Sequence, residues 1–130
     1  MPIINWGGEK MKIALTSNGS TIDDKLDLRF GRSSYFIIYD LNSEKFKTVN
    51  NKGAISSGGA GIAAAQQLID EGVEAVITGN VGPNAYELLK DANIKMYKGE
   101  KISLNLLIDK YKKEELDEIK EAGPKHRGGF

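Results

Sequence analysis

The spacing of apolar residues along the chain predicts short strands alternating with amphipathic helices. Lys12-Ile13-Ala14-Leu15-Thr16 is a short β-prone run ending in the turn-forming Ser17-Asn18-Gly19-Ser20, so it reads as a central strand. Tyr35-Phe36-Ile37-Ile38-Tyr39 is a strongly apolar strand. Asp40 to Glu44 supplies turn chemistry, and Lys45-Phe46-Lys47-Thr48-Val49 alternates like a half-exposed edge, which completes a β-hairpin. The lysines on that edge discourage strand addition by other chains and favour a monomer. After a polar, irregular stretch from Asn50 to Ser57 the period changes. Ile62, Ala65, Leu68 and Ile69 mark the buried stripe of a helix that Gly72 ends; Ser56 or Ser57 is placed to cap its start.

Ala75-Val76-Ile77-Thr78 is too short for a helix and β-rich, hence a buried strand. It runs into Gly79-Asn80-Val81-Gly82-Pro83, where Pro83 suits the first position of a helix. Ala85, Leu88, Leu89 and Ala92 give that helix its apolar face. Ile94-Lys95-Met96-Tyr97 is a last short strand. Ser103 is expected to cap a third helix with the stripe Leu104, Leu107, Ile108 and Tyr111. The order β-β-β-α-β-α-β-α predicts an α/β domain with a mixed sheet and helices on both faces, because parallel crossovers must be covered. Residues 1–10 read as an extension or tag, 11–111 as the domain, and 112–130 as a charged, partly flexible tail. Within that last stretch Lys112 to Glu121 reads as a solvated helix end.

Composition removes several functions. Eighteen Lys and Arg against eighteen Asp and Glu give a formal net charge of +0, which withdraws the general electrostatic case for nucleic acid or membrane partners. The absence of Cys excludes disulfides, thiolate metal sites and Cys nucleophiles. No apolar run reaches the roughly 20 residues of a bilayer span and no signal sequence opens the chain, so a cytoplasmic protein is expected. The polar stretch Thr21 to Asp27 reads as an exposed loop. Its carboxylates Asp23, Asp24 and Asp27 lie among Lys25 and Arg29 without an EF-hand order, and a metal-dependent hydrolase built on them is the weakest reading. The only His, His126, lies near the C-terminus, and no base is identifiable beside a Ser nucleophile.

What converges is a donor-rich rim. If the first and fourth strands are parallel neighbours, their carboxyl ends bring Ser17 and Asn18, Ser57-Gly58-Gly59, and Gly79-Asn80 with Gly82 and Asn84 to one edge. Arg32, in the turn Phe30-Gly31-Arg32, adds a cation. Helix starts with free N–H groups suit gripping an anion more than breaking a bond. Neither glycine cluster is a P-loop or dinucleotide fingerprint. The readings left open are an anionic-ligand carrier and a sensor of small anions or phosphate ligands.

Four segments carry a resemblance to a known family. Met11-Lys12-Ile13-Ala14, Phe30-Gly31-Arg32-Ser33-Ser34-Tyr35-Phe36, Gly59-Ala60-Gly61-Ile62-Ala63-Ala64 and Gly72 through Ala85, in this order, resemble the dinitrogenase iron–molybdenum cofactor family of nitrogenase cofactor carriers, accessory proteins and small stand-alone homologues. The resemblance covers about residues 11 to 111. It implies a ribonuclease-H-like fold and a non-enzymatic protein that binds an anionic metal cluster, the iron–molybdenum cofactor or a precursor, with cluster-assembly proteins as partners. It places the ligand near the first glycine-rich loop, the Phe-Gly-Arg turn and the Thr-Gly-Asn loop, and so adds Arg29 and Gly31 to the candidates. Many members carry a His before Phe-Gly-Arg, where this chain has Arg29, and many end in a His- and Gly-rich tail, of which His126, Gly128 and Gly129 remain. That departure shifts the expected contact from ligation toward electrostatic holding by Arg29, Arg32 and backbone N–H groups.

Overall fold

Residues 11–123 are described by the computed structural model. Strand β1 (Lys12–Ser17) is followed by the hairpin of β2 (Tyr35–Asp40) and β3 (Phe46–Asn50), a 3-10 turn (Lys52–Ile55), helix α1 (Ala60–Glu71), β4 (Ala75–Thr78), α2 (Pro83–Asp91), β5 (Lys95–Lys98), α3 (Leu104–Lys112) and β6 (Asp117–Glu118). The six strands form one open mixed sheet in the order β3-β2-β1-β4-β5-β6. The β2–β1 and β3–β2 pairs are antiparallel, β1–β4 and β4–β5 are parallel, and β6 is antiparallel to β5.

Period-two alternation divides the core between the two faces. Ala14, Phe36, Ile38, Val76 and Met96 point to the side covered by α1 and α2, where Ala65, Leu68, Ala85 and Leu89 pack on them. Ile13, Leu15, Ile37, Tyr39, Ala75 and Ile77 point to the other side, covered by Leu104, Leu107 and Ile108 of α3. Helices therefore lie on both faces, and the central strands β1 and β4 are buried along nearly their whole length, which is why they read as unbroken apolar runs. Gly72 ends α1 in the left-handed region, at φ 73°, with its N–H shared between the carbonyls of Leu68 and Ile69.

Several expectations are corrected. Thr21 to Asp27 is not wholly exposed: Leu26 is fully buried against the α3 face and Asp27 is buried as well. The stretch also covers the start of α3, whose Leu104 and Asn105 N–H groups donate to Asp24 and Ile22 carbonyls. No Ser caps α1; its N-cap is Gly59, at φ 67°. Ser103 is the N-cap of α3 by position, but its hydroxyl donates to the Ile22 carbonyl rather than accepting from the helix. Ile62 belongs to the exposed side of α1, 46% accessible, because the close approach of α2 is made at its neighbour Gly61. The charged run after α3 adds the edge strand β6 and lays Ile119 and Ala122 against the core. Gly123 then donates to the Val81 carbonyl at 2.8 Å.

Candidate functional site

The parallel pairing of β1 and β4 puts their carboxyl ends at one rim. There the buried hydroxyls of Thr16 and Thr78 are hydrogen-bonded at 2.9 Å, and Thr16 Oγ1 donates to the Asp27 carbonyl at 2.6 Å. From Leu26 on the α3 face the chain crosses this rim to Phe30 on the other face. Asp27 N–H bonds the Thr16 carbonyl, Asn80 N–H bonds the Leu28 carbonyl, and Arg29 bridges to Asn80. Gly79 is required by this crossing, since a Cβ there would stand 2.5 Å from the Leu28 carbonyl oxygen and 2.7 Å from its Cα.

Each residue of the Phe30-Gly31-Arg32 turn has a distinct task. Phe30 is buried against Phe36, ring centroids 5.8 Å apart. Gly31 lets the first turn of α1 come close: a Cβ would meet Gly61 N at 2.9 Å and Ala60 C at 3.1 Å. Arg32 Nη1 donates to the carbonyls of Ser56, at 2.9 Å, and Gly53, at 3.3 Å, fastening the loop that leads into α1. Two further residues complete this frame. Asn51 Nδ2 donates to the Phe30 carbonyl and to Ser33 Oγ, while its Oδ1 accepts from Gly53 N–H. Gln67 of α1 accepts from Lys52 N–H and donates to the Asn50 carbonyl.

Helices α1 and α2 meet at their N-terminal turns, where a Cβ on Gly61 would lie 3.3 Å from that of Ala85. Neither helix has a side-chain cap; the N-caps are Gly59 and Gly82, and Pro83 opens α2. The first N–H groups of both therefore lack an intrahelical acceptor, and two positive dipole ends, each equivalent to about half a charge, lie side by side at this rim. Ser57, Gly58, Gly59, Asn80, Pro83 and Asn84 are exposed around it.

The sequence-predicted candidates divide accordingly. Gly31, Arg32, Ser57, Gly58, Gly59, Gly79, Asn80, Gly82 and Asn84 belong to the three loops that meet here, with Gly79 buried beneath the Leu28 crossing. Ser17 does not join them. It shares the parity of Ile13 and Leu15, which face α3, and its buried hydroxyl is spent on the N–H and carbonyl of Gly19; the exposed Asn18 continues into that loop. Arg29 lies on the rim but is not a free cation: Nε and Nη2 donate to the two Asp27 carboxylate oxygens at 3.0 and 2.8 Å. Burial pushes the Asp27 carboxyl up, yet the hydrogen bonds and charge of Arg29, with Lys101 nearby, outweigh it and hold it below the usual carboxylate range. The same pairing raises Arg29. Arg32, by contrast, meets carbonyls rather than a carboxylate and has no ion-pair partner among the described residues. His126 lies outside the described residues. Among the described residues no group of three His, Cys, Asp or Glu side chains is arranged to hold a metal ion, so Asp23, Asp24 and Asp27 do not form the cation site considered above.

The pattern of the family described as dinitrogenase iron–molybdenum cofactor matches residues 9–114. The chain belongs to this family. A relative from Methanocaldococcus jannaschii, itself uncharacterized, is 31% identical over 98 residues, covering 73% of this chain and 80% of the relative. Among solved structures, the apo form of the orange protein from Desulfovibrio gigas superposes with a TM-score of 0.83 at 29% identity, covering 88% of this chain and 98% of that one. A Thermotoga protein of the DUF35 family, proposed to be NifB, gives a TM-score of 0.77 at 34% identity over 89% of this chain and 99% of its own. Asn51 and Gln67, which brace the loop before α1, are not among the site residues expected from sequence, and Asp27 is expected only as part of an acidic set; the Asn-x-Gly after an edge strand and the Asp-x-Arg spacing are the available signals. No helix among the described residues is long and apolar enough to cross a membrane.

Proposed function

We propose that this protein is a non-enzymatic carrier that holds an anionic metal cluster, of iron–molybdenum cofactor type or a precursor, in the cleft between the N-termini of α1 and α2. The observation that carries the reading is the convergence of two uncapped helix starts beside Arg32 in a member of this family. Backbone N–H groups of residues 60–62 and 84–85 serve as donors to the cluster's outer atoms. Arg32 holds the loop before α1 and contributes charge, and Ser57, Asn80 and Asn84 border the opening. Arg29 acts indirectly, by neutralising Asp27 so that a buried carboxylate does not repel the ligand. The cluster arrives with its own inorganic ligands, in keeping with a donor set of N–H groups rather than thiolates. The orange protein, whose structure is an apo form, supports the idea of a fold that takes up and releases a group. The strand order β3-β2-β1-β4-β5 supports the ribonuclease-H-like expectation. A cytoplasmic setting among cluster-assembly proteins is part of the proposal.

The test is anaerobic addition of isolated iron–molybdenum cofactor, followed by gel filtration, metal analysis and amide NMR. Metal retained with the protein and shifts confined to residues 57–62 and 80–85 are expected. Protein that elutes free of metal refutes the carrier reading for that ligand. The purely N–H donor set equally fits a small-anion or phosphate sensor. In that case melting temperature rises with inorganic phosphate or nucleotide concentration as binding linkage requires, and a flat response eliminates it.

A further inference from the structure

The free edge of the sheet at β3 is not used by the cluster site. Among the described residues β3 pairs with β2 alone, so its outward N–H and C=O groups have no strand partner, the Asn50 carbonyl accepting from Gln67 Nε2 at 2.7 Å. Phe46 on this edge is 39% accessible, and Ile55, on the turn that follows, is 90% accessible, the highest value among the exposed large apolar residues. Between the edge and α1 runs a groove of about 830 Å³ whose lining includes Val49, Ala54 and Ile55 together with Lys52, Asp70 and Glu71. The lysine guard expected from sequence is weaker than it reads, because Lys47 is drawn back onto Glu71 at 3.1 Å. The opposite edge is different in kind: β6 has two residues, both acidic.

We propose that β3 and this groove form the interface of a symmetric homodimer, with β3 of one copy running antiparallel to β3 of the other. A second copy is favoured because the surface is complementary to itself: cationic and anionic side chains share one groove, and an isologous contact sets each against the other. With the two-fold axis at Thr48, Phe46 faces Asn50 and Lys47 faces Val49 of the other copy, while Asp70 and Glu71 approach its Lys45 and Lys47. Side-chain parity is kept by this register, so Val49 of each copy stays on the α1 side and the two groove floors become continuous. Ile55 then moves from water into the partner's groove. The free edge, a standing liability for a soluble sheet, is closed by the same contact.

Light scattering after gel filtration and sedimentation equilibrium, both on the full chain over about 5 to 500 μM, decide the matter. A dimer is expected. Ile55→Asp, at a side chain that a monomer leaves in water, is expected to weaken it about a hundredfold with unchanged circular dichroism. Lys45→Glu is expected to weaken it also, and the pair Lys45→Glu with Asp70→Lys to restore it, an outcome that depends on this register. A wild-type monomer throughout the range overturns the proposal and leaves the groove to another partner. A dimer indifferent to Ile55→Asp overturns it by placing the contact elsewhere, and failure of the charge pair to rescue overturns the register.

Discussion

Gly79→Ala tests the architecture of the rim directly, because the structure fixes both the sign and the size of its effect. Gly79 has no positive φ, so alanine is compatible with its backbone. What it lacks is room: all three nearest atoms to a new Cβ belong to Leu28, at 2.5, 2.6 and 2.7 Å, two of them backbone. The Leu28 crossing must retreat, and the Asn80 N–H bond to the Leu28 carbonyl, 2.9 Å long, is stretched. Overpacking of this kind costs about 1–3 kcal/mol and a weakened hydrogen bond about 1, offset by about 0.4–1 from the stiffer unfolded chain. The net loss is about 1–3.5 kcal/mol. Two neighbours serve as controls. Gly58→Ala meets nothing within 4 Å and should be neutral or stabilising by up to about 1 kcal/mol. Gly59→Ala has space but sits at φ 67° and should lose about 1–2 kcal/mol. Urea unfolding at constant m value measures all three. A Gly79→Ala protein within about 0.5 kcal/mol of wild type, or a Gly58→Ala protein as damaged as Gly79→Ala, would refute the packing argument.

Three further outcomes follow from the same geometry. The Asp27 carboxyl is held below its unfolded value, so its contribution to stability is complete above about pH 4 and is lost as pH falls through the lower folded value; Asp27→Asn should flatten acid unfolding in that range, and an unaltered acid limb would contradict the pairing. Arg32→Ala should speed amide hydrogen exchange at residues 53–59 of the ligand-free protein while leaving α3 unchanged, whereas exchange identical to wild type would reduce Arg32 to a charge. Tyr111 Oη donates to Glu74 at 2.6 Å, and burial with that bond raises the phenol well above its ordinary value; Tyr111→Phe should cost about 1–2 kcal/mol in urea unfolding, and no loss would mean that water replaces the bond.

The sequence made the fold legible where hydrophobic period and turn residues agree. The runs at Lys12–Thr16, Tyr35–Tyr39 and Ala75–Thr78 are short and β-rich, and the stripe around Leu89 has helical spacing with Pro83 at its start. The edge strand β6 is hidden because Asp117 and Glu118 are exposed and charged; they pair with Lys98 and Tyr97 of β5, a contact that their own residue types do not signal. Likewise Leu26, lone among polar neighbours, gives no periodic signal before it meets the α3 face. Glycine patterns mark the two helix starts, but the partition of Arg29 and Arg32 does not follow from charge alone. It depends on Asp27 lying two residues before one arginine and on the Gly53 and Ser56 carbonyls lying across from the other. Ser17 fell on the wrong face for a single reason, the parity of β1.

The most direct measurement compares retained metal in wild type and Gly58→Asp after anaerobic loading with iron–molybdenum cofactor and gel filtration. Gly58 has open space around it, and a carboxylate there sits just before α1, where it favours the helix dipole by about 0.3–1 kcal/mol while occupying the donors proposed for the cluster. The account predicts metal held by wild type and lost from Gly58→Asp, whose folding stability is equal or higher. Wild-type protein that retains no metal, or a Gly58→Asp protein that retains as much, would contradict it.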